Sequence, residues 1–203
     1  LPIYFEKYYG VNPSYLGISI IGIGGQNYKT FLSLINDFNI DWFIYSDGEE
    51  KTRKTVKKAV KAVFGIDIDV NPNSNIIILD NEEDFEMHLI NNGYVNEVVE
   101  AICDYEGNPA YIENFIATRN KKSDGRRKTG LPKCPTCNQD IYEDIIRDYS
   151  DTEGYNRAVY DCCTGKQAKA KYATVVAEKI SNLEDETRRY PSKIKELLIA
   201  MES

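Results

Sequence analysis

The sequence predicts an α/β protein: a parallel sheet flanked by helices, with an additional helical layer toward the C-terminus. Three observations predict it. Short β-branched or aromatic runs, "LGISIIGIGG", "WFIYSD" and "NIIILD", recur through the first half. Between them lie segments of helical spacing, and strands separated by roughly 10 to 20 residues of helix imply βα units whose parallel sheet is covered on both faces. After Glu83 the character changes to helix after helix.

Taken in order, "LPIYFEKYYG" has helical spacing at Ile3, Phe5, Tyr8 and Tyr9 without an entry strand before it. "LGISIIGIGG" reads as a strand, "NYKTFLSLINDF" as an amphipathic helix and "WFIYSD" as a buried strand. A basic helix from Thr52 to Phe64 leads to the strand Asn75 to Asp80. The helical remainder comprises "DFEMHLINNGYVNEVVEAI", "PAYIENFIATRN", "GYNRAVYDCC", "AKAKYATVVAEKI" and "SKIKELLIAM". The expected division is an α/β core over residues 1–92 with its first strand missing, and a helical extension over 93–203 packed on that core.

Composition narrows the class. A chain of 203 residues with 42% hydrophobic residues builds one cored domain, or a domain with an appendage. No apolar run approaches the roughly 20 residues that span a bilayer, and no leader opens the chain, so a cytoplasmic protein with no membrane partner is expected. Five cysteines do not read as a disulfide framework. A net charge of −7 argues against coating nucleic acid by bulk electrostatics, but two local basic stretches stand out. "KTRKTVKKAVK" holds six basic residues from Lys51 to Lys61, and the loop Arg119 to Lys133 holds seven, among them Arg119, Lys121, Lys122, Arg126, Arg127 and Lys128. Those six are the candidate DNA-binding residues, against the plainer reading of a solvated turn.

The chemistry is expected at the carboxyl ends of the strands, where open α/β sheets collect ligands. The strand Trp42 to Tyr45 delivers Asp47 and Glu49; the strand Ile76 to Leu79 delivers Asp80, Glu82, Glu83, Asp84 and Glu86. Acids in a first helical turn are favoured by the helix dipole in any protein, which accounts for Glu82 to Asp84. Asp47 and Glu49 lack that explanation. A D-x-E pair at a strand end repels itself, and a hard divalent cation, Mg2+ or Mn2+, removes the repulsion, against the plainer reading of a surface turn that is merely acidic. With the second acidic cluster, two ions can be held about 3.5 to 4 Å apart, the arrangement of phosphodiester cleavage.

The order "GISIIGIGGQNYKTFLSLINDFNIDWFIYSDGEE…NIIILDNEEDFEMHLI" resembles the Toprim domain of the OLD-family (overcoming lysogenization defect) nucleases, over most of the chain to about Ile180. The features that carry it are a G-G-x-N turn (Gly24, Gly25, Asn27), S-D-G-E where Toprim domains carry D-x-D, and "DFEMHL". The resemblance implies a Mg2+- or Mn2+-dependent DNA endonuclease or nickase with a two-metal site, joined in full-length members to an N-terminal ABC-type ATPase and acting in phage-related or antiphage defence. It implies Asp47, Glu49, Asp84 and Glu86 as metal ligands, and a late-helix lysine, Lys169 or next Lys171 in "KAKYATVVAE", as the catalytic cation facing the cleaved phosphate. It also implies an E-G-x-x-E strand before Leu1, so one carboxylate of the site is expected to be lacking. DNA and the ATPase module are the implied partners, with a homodimer left open. The alternatives are a non-catalytic module that binds nucleic acid or protein, and primase- or topoisomerase-type Toprim chemistry.

Weaker signals remain. "KCPTCNQD" is one half of a zinc site, for which Cys162 and Cys163 are the candidates beside Cys134 and Cys137. The plainer reading is free thiols. "GIGGQN" fails the dinucleotide fingerprint at Asn27. His88, the single histidine, reads as a packing residue, and no G-x-S-x-G supports a serine hydrolase.

Overall fold

A computed structural model describes residues 1–24, 27–69, 73–165 and 168–202, with Ala170 by its backbone alone. Gly25, the second glycine of the G-G-x-N turn, lies outside them. The chain divides into two compact units, one formed by Leu1–Tyr94 with Val176–Ser203 and the other by Val95–Val175. The fold is mixed α/β, with a small parallel sheet and nine helices among the described residues.

The first unit is built on a βαβ element. β1 (Ile44–Ser46) pairs in parallel with β2 (Ile76–Ile78), and Ile44, Tyr45 and Ser46 stand opposite Ile76, Ile77 and Ile78. Alternation sends Ile44, Ile76 and Ile78 to one face. That face is covered by α2 (Tyr28–Asp37) through Tyr28 and Leu32 and by α3 (Glu50–Phe64) through Val56, Ala59 and Val60. α3 turns its lysines to solvent. Lys54 bonds Glu50 at 2.6 Å and Lys61 bonds Asp67 at 2.9 Å, which holds both carboxyls below their ordinary pKa. Gly65, at φ 71°, closes the helix as a left-handed cap. Against the other side of β2 packs α9 (Ser192–Met201), whose Ile194, Leu197 and Leu198 are buried. α1 (Pro2–Tyr9) adds Tyr4 and Phe5 to the core, and α4 (Phe85–Asn91) follows β2.

Two features of this unit depart from the sequence reading. Residues 18–23, expected as a strand, form none: Ile20 and Ile21 are exposed, and β1 finds its pairing partner in β2. β-branched composition favours a pleated surface only where a neighbour takes the backbone groups. The long helical run after Glu83 is two helices, because Gly93 at φ 83° turns the chain between α4 and α5 (Val95–Glu106).

In the second unit α5, α6 (Tyr111–Arg119) and α7 (Thr152–Thr164) pack together through Ile102, Ile112, Ala158 and Val159, each fully buried. The first part of α8 (Ala168–Ser181) belongs here and its remainder to the first unit. The basic stretch read as a loop is instead one strand of an antiparallel ribbon, β3 (Ser123–Lys128) against β4 (Tyr142–Ile146), bulged between Ser123 and Arg126. Every residue of β3 is exposed, so no alternation of apolar and polar residues betrays the strand in the sequence. Among the described residues no helix is long and apolar enough to cross a membrane.

Candidate metal centre

The two parallel strands end side by side and are fastened there. Leu79 donates its N–H to the Ser46 carbonyl at 3.0 Å, and Gly48 donates to the Glu83 carbonyl at 2.8 Å. From the first turn of α3, Arg53 reaches back to the Leu79 carbonyl at 2.6 Å and the Gly48 carbonyl at 3.2 Å. Below them the Tyr28 and Ser46 hydroxyls share a buried hydrogen bond of 2.7 Å. The approach is so close that a Cβ on Gly48 would lie 2.3 Å from the Leu79 carbonyl oxygen. This is why the S-D-G-E segment has glycine between its two acids. On the β2 side Asn81 (φ 52°) and Glu82 (φ 59°) are consecutive left-handed residues. Such backbone costs about 1 kcal/mol or more per residue and persists where surroundings over-determine it.

What over-determines it is a buried polar network under the loop. Glu83 accepts from Asn91 Nδ2 at 2.7 Å and meets His88 Nδ1 at 3.1 Å, while His88 Nε2 lies 3.3 Å from Ser192 Oγ. The histidine is buried, and it fastens the acidic loop to α4 and to the head of α9. Asp84 caps α4, accepting from the Met87 N–H at 3.0 Å, and is buried. Asp47 and Glu86 are half-buried and Glu49 is exposed. Lys193, one residue into α9, places its ammonium 3.4 Å from Asp80 and 2.9 Å from Glu196. Burial pulls the Lys193 pKa down, but Glu196 and then Asp80 outweigh it and leave the ammonium above its ordinary value. Sequence reasoning missed this lysine. Its only signal was "SKIKELL", a lysine at the head of a late helix, since the contact with Asp80 depends on α9 returning to β2.

A strand end with paired acids, a forced glycine and a strained acidic loop is the context in which the comparison with known families counts. Residues 1–48 match the family described as "Overcoming lysogenization defect protein-like, TOPRIM domain". The match covers 48 of the 203 residues, and over that stretch the chain is similar to the OLD-like Toprim domain. No curated protein and no solved structure matches the chain. The match runs from α1 through Asp47 to Gly48 and stops before Glu49. Toprim domains work on nucleic acid, generally bind divalent metals such as Mg2+, and are usually associated with nuclease or primase activity.

The donors at these strand ends, Asp47 within the matched residues and Glu49, Asp84 and Glu86 beyond them, are carboxylate oxygens, the hard ligands that Mg2+ and Mn2+ prefer. Among the described residues, however, no three such side chains converge as a preformed ion site. Asp47 and Glu49 leave the end of β1, while Asp84 and Glu86 leave the first turn of α4. Mg2+ often keeps several waters and takes only one or two carboxylates from a protein, so the chemistry of these donors suits it without a closed cage.

Lys169 and Lys171 lie on the part of α8 that belongs to the second unit. Lys169 is exposed. Lys171 is hydrogen-bonded to Glu106, which raises its pKa, and lies over the rings of Tyr105 and Tyr172. In the ribbon, the candidate DNA-binding cations face acids across the strands. Arg126 meets Asp144 at 3.3 Å, Arg127 meets Glu143 at 2.6 Å and Lys128 meets Asp140 at 2.9 Å. Lys121 meets Asp148 at 3.3 Å, Lys122 bonds the Ala117 carbonyl at 3.4 Å, and Arg119 stacks 4.2 Å over Phe115. Cys134 and Cys137 sit in the loop that joins β3 to β4, whereas Cys162 and Cys163 are buried on α7. The four do not form a single ligand group.

Proposed function

We propose that the strand ends carrying Asp47 and Glu49 form the metal centre of a Mg2+- or Mn2+-dependent DNA endonuclease or nickase, the Toprim part of an OLD-family ATPase–nuclease. The observation that carries the reading is the fastening of the two strand ends, Gly48 to Glu83 and Arg53 to Leu79, which sets the Asp47–Glu49 pair beside the acidic loop Asp80–Glu86. A bound divalent ion would supply charge neutralisation at the scissile phosphate and a water of lowered pKa. Asp47 and Glu49 would hold the first ion. In the two-metal form Asp84 and Glu86 would hold a second, once the Asp84 carboxylate is shared between ion and helix cap.

Around that centre the chain's own residues have separable tasks. Arg53 holds the two loops in register through backbone carbonyls. Lys193, kept protonated by Asp80 and Glu196, is a cation positioned to offset phosphate charge in the same unit. A second reading, a non-catalytic nucleic-acid-binding module, is favoured by one observation: Asp84 is committed to capping α4.

Thermal melts decide the metal reading. An ion at 100 times its Kd stabilises by about 2.7 kcal/mol, which for a chain of this length is a rise in Tm of roughly 5 to 11 °C. Wild type should gain this with Mn2+, and Asp47→Ala or Glu49→Ala should fold and lose most of it. Equal gains in wild type and variants, or none in wild type, would overturn the metal centre. A gain without divalent-dependent nicking of supercoiled plasmid would favour the non-catalytic reading.

A further inference from the structure

The loop between β3 and β4 carries the one sequence motif that the proposed nuclease centre does not use. It is closed at its base by Thr129, whose N–H and hydroxyl both bond the Ile141 carbonyl, at 2.8 and 3.0 Å. Within it "CPTCN" makes a single tight turn. The Asn138 N–H bonds the Cys134 carbonyl at 2.8 Å, the Cys134 N–H bonds the Gln139 carbonyl at 2.9 Å, and Asn138 takes a left-handed φ of 55°. Pro135 fixes the backbone after the first thiol. Hydrogen bonds from the backbones of Cys137 and Thr136 reach the Cys134 sulfur, with the Cys137 side chain next, so the turn brings the two thiols together. N–H groups turned onto a sulfur stabilise a thiolate, the form that ligates metal.

The two thiols therefore lie on one turn, Cys137 exposed and Cys134 half-exposed. All five cysteines and the single histidine are among the described residues, and none of the others joins them. Cys162 is buried and its thiol is pushed up to about 11 by that burial, Cys163 is buried beside it, and Cys103 is buried against the Pro109 carbonyl. Structural zinc takes four ligands in a tetrahedron, commonly as C-x2-C pairs. One chain offers two of the four. A twofold axis through the ion doubles an identical pair into a closed set, and in such an isologous contact both chains present the same surface.

We propose that Cys134 and Cys137 are half of a tetrahedral zinc site that a second copy of this chain completes, with four thiolates from two ribbon loops around one ion. Four Zn–S bonds form, and the thiol protons pass to solvent. The site requires reduced cysteines and is independent of the strand-end carboxylates.

The test uses the full chain, kept reduced with a phosphine and stripped of metal, then titrated with Co2+ or Zn2+ alone. Co2+ should give sulfur-to-metal charge-transfer absorption and tetrahedral d–d bands that saturate at one ion per two chains. With Zn2+, sedimentation should show a species at twice the 23.2 kDa chain mass, which a chelator returns to monomer. Cys134→Ser and Cys137→Ser should each abolish both signals while leaving the metal-free melting temperature unchanged, whereas Cys162→Ala should retain them. Saturation at one ion per monomer, loss of the band in Cys162→Ala, or no thiolate band in wild type would overturn the proposal.

Discussion

The hydroxyl of Tyr45, in the middle of β1, is buried without a hydrogen-bond partner among the described residues, and so is that of Tyr4 from α1. Burial is the main cause that drives both phenols far above their ordinary pKa, with Tyr94 adding to it for Tyr4, and Tyr4 and then Asp47 adding to it for Tyr45. A buried polar group left unsatisfied costs about 1 to 3 kcal/mol. Tyr45→Phe keeps the edge-on contact with Phe85, at 6.2 Å between ring centroids, and removes only the orphaned oxygen. Tyr4→Phe and Tyr45→Phe should therefore each raise stability by about 1 kcal/mol, a gain of roughly 2 to 4 °C in Tm. A fall in Tm for both would mean that the hydroxyls are satisfied in solution. At this scale the sequence showed Asp47 and Glu49, because acids after a buried aromatic run need no tertiary knowledge to stand out. It could not show Lys193 or the Glu83–His88–Ser192 network, whose members meet only after α9 returns to β2.

Among the elements, the crossing of β1 and β2 ends depends most on Gly48. Its Cβ position is blocked by backbone, the Leu79 carbonyl at 2.3 Å and the Asp80 carbonyl at 2.9 Å, which cannot swing away as a side chain would. Gly48→Ala should cost about 1 to 3 kcal/mol by overpacking and should part Gly48 from Glu83, with a smaller Mn2+-induced rise in Tm than wild type. Gly10→Ala is the control. There φ is 70° but open space surrounds the new methyl, so it should cost about 1 kcal/mol and leave the metal effect intact. Equal effects of the two substitutions would show that the strand ends are not packed as described. The same scale shows which elements the sequence could announce. α2 and α3 were legible because their buried residues recur at helical spacing against β1. The stretch at 18–23 looked like a strand, but composition does not say whether a neighbour will pair with it. The ribbon was hidden because charge pairs, and no apolar face, match its two strands.

For the molecule as a whole, a net charge of −7 means that any attraction to nucleic acid is local and works against the mean field. The ribbon is the place where that competition is sharpest, since its cations already face carboxylates. Exposed ion pairs contribute only about 0 to 1 kcal/mol, so a phosphate can displace a carboxylate at small cost, and counterions released from DNA add the favourable term. Binding through the ribbon should accordingly be weak, indifferent to sequence and steeply salt-dependent. Replacing Arg126, Arg127 and Lys128 together with glutamine removes up to three phosphate contacts and should lower the slope of log K against log salt by up to about 3. Glu143→Gln with Asp144→Asn should act in the opposite sense, tightening binding at every salt concentration because the arginines lose their internal competitors. An unchanged slope in the first variant and unchanged affinity in the second would leave the ribbon as a self-neutralised surface strand pair, and any DNA contact would then have to come from cations elsewhere, such as the exposed lysines of α3 or Lys193.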